Sequence, residues 1–100
     1  MTKSNLARKF KLDVRGAFLR RTNLSDASLR GANLTNADFT NAVLRGADLQ
    51  DAILDGTVLK GADLTGARNL TLSQLRRAVL DEGTKLPDGF SLNQIRSNGK

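Results

Sequence analysis

Carboxylates are the only side chains in this 100-residue sequence that could carry acid–base chemistry near neutral pH, since it contains no His and no Cys. Their absence excludes Ser-His-Asp triads, cysteine nucleophiles, thiolate or imidazole metal sites and disulfides. Asp38, Asp48 and Asp63 each stand immediately before a bulky apolar residue, and Asp26 and Asp51 stand two residues after one. Paired carboxylates can exchange protons with a substrate or hold a hard cation. Gly56 and Gly61 echo the spacing of a phosphate-cradling loop, but Gly61 is followed by Ala62 rather than by the Lys-Ser/Thr that such a loop requires. The aspartates and glycines recur at the same five-residue step, so the acids are expected to serve the backbone of a repeating wall. No catalytic, metal-binding or cofactor-binding residue is assigned, and no cofactor is expected.

That step defines the elements that must position these groups. From Leu12 to Gly66 the chain divides without a gap into eleven five-residue units, LDVRG, AFLRR, TNLSD, ASLRG, ANLTN, ADFTN, AVLRG, ADLQD, AILDG, TVLKG and ADLTG. The central positions are Val14, Leu19, Leu24, Leu29, Leu34, Phe39, Leu44, Leu49, Leu54, Leu59 and Leu64. Two residues earlier stands a small residue, mostly Ala, with Thr22 and Thr57 as near-isosteres and Leu12 at the edge. On an α-helix five residues turn about 500°, which leaves no apolar face. On a straight strand an odd period sends successive leucines to opposite faces. The chain must therefore turn a corner once per unit, with Ala and Leu both pointing inward along the short extended stretch. Gly, Asn or Asp closes every unit except AFLRR, which ends in Arg21; these types tolerate the positive φ of a type II turn.

Consecutive A-(D/N)-L-x-x units resemble the pentapeptide-repeat family. The resemblance implies an all-β solenoid, a right-handed quadrilateral β-helix in which four units make a coil. Eleven units then give under three coils, with inward ladders Val14/Leu34/Leu54, Leu19/Phe39/Leu59, Leu24/Leu44/Leu64 and Leu29/Leu49. Some members of the family mimic duplex DNA and protect type II topoisomerases, but those are longer dimeric rods with acidic surfaces. This chain is short and carries a net charge of +6, which argues against that role.

So short a stack needs caps. Three regions are expected: a basic N-terminal cap over residues 1–11, with Leu6, Phe10 and Leu12 covering the first coil; the eleven-unit β-helix over 12–66; and a C-terminal helical cap and tail over 67–100. The repeat phase breaks at Asn69. Thr71 as N-cap and Gln74 three residues on form a capping box, flanked by Leu70 and Leu75 as a hydrophobic staple. They predict a capping α-helix from about Leu72 to about Asp81, with Leu72, Leu75 and Val79 on one side and Gly83 ending it. Leu86 and Phe90 should tuck under this lid. Ser91 and Gln94 offer a weaker second box, and Ser97 to Lys100 should fray.

The charge is localised. Residues 1–30 contain eight basic residues and two acidic ones, and the remaining seventy contain eight of each. Such a patch can steer a protein toward nucleic acid, an anionic surface or an acidic protein. Apolar residues also stand where the repeat calls for polar ones, at Phe18, Val43, Ile53 and Val58. With four units per coil, Phe18 and Val58 share a wall with Arg20, Arg21 and Lys60, and these five form the expected interaction surface. The expected function is a non-enzymatic protein–protein interaction scaffold with an unidentified protein partner. Self-association through a coil end is a further route. The alternative is a small basic nucleic-acid-associated protein. No apolar run approaches the roughly 20 residues of a membrane span and the basic start lacks a leader's apolar core, so a cytoplasmic location is expected.

Overall fold

The computed structural model describes residues 12–97. The expected cap over residues 1–11, Leu6 and Phe10 included, lies outside the described residues, as do residues 98–100. Each five-residue unit makes one short extended stretch and one corner. The amide two residues before each central position donates to the preceding central carbonyl, from Ala17 to Val14 at 3.0 Å through to Ala67 to Leu64 at 2.9 Å. The residue inside each corner has positive φ: glycine at six corners, and Arg21, Asp26, Asn36, Asn41 and Asp51 at the others. Left-handed backbone there is what lets the chain turn after only three extended residues.

Parallel bridges join positions twenty residues apart, so four units complete one coil. They run Asp13–Asn33–Ile53 on the first wall, Phe18–Asp38–Val58 on the second, Asn23–Val43–Asp63 on the third and Ser28–Asp48–Arg68 on the fourth. Within a wall both peptide groups of a rung are used. The Asn33 amide donates to Leu12 and the Leu34 amide to Ile53, at 2.8 and 3.0 Å. Inside, Leu29, Leu34, Phe39, Leu44, Leu49, Leu54, Leu59 and Leu64 are buried together with the alanines from Ala32 to Ala62. Val14, Leu19 and Leu24, in the first coil, are only half-buried, and Leu12 is 48% exposed. Thr57 takes an alanine position fully buried, its hydroxyl satisfied by donating to the Leu34 carbonyl at 2.7 Å.

The repeat ends as Asn69 turns through φ 64° and donates its side-chain amide to Asp48 rather than pointing inward. Helix α1, Leu72–Arg77, follows with both halves of the Thr71–Gln74 capping box made. It is shorter than expected. Ala78 is its C-cap, and Val79 leaves the helix to pair with Val58, donating to Thr57 and accepting from Leu59, each at 2.8 Å. Gly83 therefore does not end the helix. Without this segment the third coil would end in unpaired peptide groups, and Val79 pairs with them instead of extending the helix. Lys85 pairs with Asp63 in the same way, and the Thr84 hydroxyl donates to Leu59. A second helix, α2, Leu92–Arg96, starts at Ser91, which accepts the Gln94 amide. Leu86 and Phe90 are half-buried against the core. Ser97 is held rather than frayed: its amide donates to Asn93, and Arg76 donates to its carbonyl at 2.8 Å.

Candidate functional site

The carboxylates come first, because they alone could do chemistry. Asp38, Asp48 and Asp63 sit on the second, fourth and third walls, so the solenoid holds them apart. Each closes a local turn. Asp38 accepts from the Thr40 amide and hydroxyl, Asp63 from those of Thr65, and Asp48 from the Gln50 amide. Asn23 and Asn33 do the same with Ser25 and Thr35, which is why Asp and Asn interchange at this position. These donors hold the acids below the ordinary carboxylate range: Thr40 foremost for Asp38, Thr65 for Asp63, and the Asn69 side chain for Asp48. A carboxylate kept ionised by its own turn is poorly suited to donate or shuttle a proton. Asp26 and Asp51 stand at left-handed corners. Gly56 and Gly61 are corners too, packed over the side chains of Asn36 and Asn41.

The second wall is different. Phe18 projects from it 87% exposed, with Asp38 and then half-buried Val58 above it on successive rungs. Val79, 39% exposed, extends the line one rung further through its bridge to Val58. Beside that line run Arg20, Thr40 and Lys60, and Arg21 stands at the corner. The structure thus brings Phe18, Arg20, Arg21, Val58 and Lys60 onto one wall and its edge. Val79 was missed because a helical reading of residues 72–81 hides it; its β-branched side chain was the available signal. Val43 and Ile53 lie on the third and first walls, away from this group.

The second wall also holds cations without an ion pair to a described residue; Arg68 and Lys85 are others, elsewhere. Arg15 pairs with Asp13, Arg30 with Asp48, Arg45 with Asp63 and Arg77 with Asp55. Arg20, Arg21 and Lys60 make no ion pair with a described residue. Of the four bases that residues 12–30 contribute, the two without an ion pair to a described residue are Arg20 and Arg21, and both belong here. No helix among the described residues is long and apolar enough to cross a membrane.

The family model described as pentapeptide repeats (8 copies) matches residues 12–46 and 42–81. A search of curated proteins returned no match. Among solved structures, the chain is similar to the pentapeptide repeat protein Rfr23 from the cyanobacterium Cyanothece 51142, with 32% identity and a TM-score of 0.67 over 77% of this chain and 52% of that one. It is also similar to HetL, a pentapeptide repeat protein involved in heterocyst differentiation regulation from Nostoc sp. strain PCC 7120. There the identity is 36% and the TM-score 0.58, over 78% of this chain and 35% of that one. The chain therefore spans about half the length of the first and about a third of the second. The right-handed quadrilateral β-helix of such proteins is the fold of this chain.

Proposed function

The chain belongs to the pentapeptide-repeat family, and on that footing we propose that it is a non-enzymatic scaffold that binds another protein through one wall of its solenoid, in the cytoplasm. In this reading the solenoid has under three coils, and the segment from Ala67 onward, with α1, serves as its C-terminal cap. The observation that carries the proposal is Phe18, an aromatic side chain held almost fully in solvent on a β-bridged wall, beside cations without an ion pair among the described residues. Large exposed apolar groups rimmed by charge are the usual mark of a contact surface. A binding function also suits a molecule whose carboxylates are committed to turns.

The experiment is affinity capture from native lysate, with Phe18→Asp and Val58→Asp as paired baits. Wild type should retain a protein that both variants lose while keeping the wild-type circular dichroism spectrum. Capture of no protein by wild type would refute the scaffold. Arg20, Arg21 and Lys60, without an ion pair among the described residues, favour a second reading, a small basic nucleic-acid-associated protein. Binding to random duplex DNA at about 20 mM salt, lost steeply as salt is added, supports that alternative. No such binding dismisses it.

A further inference from the structure

The spacing of groups on the second wall indicates what kind of segment fits it. Where an arginine precedes an aspartate by eighteen residues, two such pairs close across the rung, Arg30 with Asp48 at 3.1 Å and Arg45 with Asp63 at 3.2 Å. Arg20 and Asp38 have the same spacing and Thr40 holds Asp38 as Thr65 holds Asp63, yet Arg20 does not close on it; Asp38 feels Arg20 and Lys60 only through space. The guanidinium of Arg20 is left without a neutralising contact among the described residues. The first coil therefore offers Phe18 with Arg20, and the third offers Val58 with Lys60. Between them lies a polar rung on which Thr40 donates its amide and hydroxyl to one oxygen of Asp38.

Rungs of a β-structure lie about 4.8 Å apart, so the apolar-plus-cation pair recurs after about 10 Å along the axis. An extended peptide returns a side chain to the same face every 6.6–6.8 Å or so, out of step with that period. An α-helix rises about 10.5 Å in seven residues and returns to nearly the same face. A phosphate backbone laid along the wall would gain nothing from Val58 and Val79.

We infer that this wall docks an acidic amphipathic α-helix of a partner protein lying along the solenoid axis, with an apolar residue and a flanking carboxylate repeated at seven-residue spacing. The apolar side chains pack on Phe18 and Val58, and the carboxylates meet Arg20 with Arg21 at one end and Lys60 at the other. Val79 extends the apolar line beyond the third coil. The inference rests on the scaffold reading and adds the partner's chemistry to it.

The probe is a fluorescein-labelled helical peptide of about three heptads carrying Leu and Glu at that spacing. It is compared with a scrambled peptide of the same composition and with a random DNA duplex, by anisotropy at about 50 mM salt. The heptad peptide should bind, and the scrambled peptide should not. Phe18→Ser and Lys60→Ser should each weaken binding about tenfold, with urea midpoints near the wild-type value showing that both variants fold. Equal binding of the scrambled peptide, undiminished binding by both variants, preference for the duplex, or failure of the heptad peptide to bind would each overturn the inference. Failure of the scaffold reading is separate. A lysate protein captured equally by wild type and by the Phe18→Ser/Lys60→Ser double variant leaves the scaffold standing on another face while this inference falls. Capture of nothing by wild type removes the scaffold itself.

Discussion

At the corner after Leu19 stands Arg21 with φ 59°, in a conformation that the other corners of the repeat give to Gly, Asn or Asp. A left-handed residue with an ordinary Cβ costs about 1–2 kcal/mol, and Asn lowers that cost through its short polar side chain. Arg21→Asn should therefore raise stability by about 0.5–1 kcal/mol, read as a higher urea midpoint at unchanged m-value. The opposite change is expected at Gly56, where φ is 68° and an added Cβ would run into the side-chain oxygen of Asn36 one coil below. Gly56→Ala should cost about 2 kcal/mol from strain and collision together. In an Asn36→Gly background the collision is gone, so the cost should shrink to the backbone part; an unchanged cost would show that the corner ladder does not pack as described. The corners at Asn36 and Gly56 were legible in the sequence by residue type. The contact between them was not, because residues 36 and 56 meet only once four units close a coil.

Among the elements, α1 shows most clearly what local signals convey. Its start could be read directly, since Thr71 and Gln74 satisfy each other's backbone within four residues. Its end could not. Leu72, Leu75 and Val79 fit a helical stripe, and what diverts Val79 is the open edge of the third coil, far away in sequence. Gln74 links the two levels: its side-chain oxygen accepts the Thr71 amide at 2.8 Å, while its side-chain nitrogen donates to the Leu49 and Ala52 carbonyls at 2.8 and 2.9 Å. Thr71→Ala removes one cap interaction and should cost about 1 kcal/mol. Gln74→Ala also removes the donor to the Leu49 and Ala52 carbonyls, of which Leu49 keeps the Ala52 amide, and should cost about 2–3 kcal/mol. The ratio is the test: equal losses in denaturant titrations would mean that Gln74 acts only within its own helix.

For the molecule as a whole, acid sensitivity follows from the turns. Asp13, Asp38, Asp48, Asp63 and Asp81 are all held below their ordinary value of 3.8 by donors within reach, led by Arg15, Thr40, Asn69, Thr65 and the Gly61 amide respectively. Because the folded pKa values lie below those of the unfolded chain, their stabilisation is complete above the unfolded value. It is lost as pH falls through the folded ones. The thermal midpoint should stay level from about pH 7 to pH 5 and drop below about pH 4, with added repulsion as the net positive charge grows. Asp48→Asn should make that fall shallower. A midpoint that rises on acidification would refute the assignment of these acids to the turns.

The sequence by itself determined the five-residue unit: which residue points inward, which closes the local turn and which must adopt positive φ. Those features depend on neighbours within the unit, and steric and hydrogen-bonding preferences act at that range. Only the tertiary structure decided how many units close a coil, because any number of corners satisfies the same local pattern until one rung's amides find another's carbonyls twenty residues on. The same long-range pairing drew Val79 out of its helix. It closed Arg30 on Asp48 and Arg45 on Asp63, while Arg20 stayed open at identical spacing. The charge of the first thirty residues was visible as a sum; which cations face solvent without a partner depended on what each rung placed beside them.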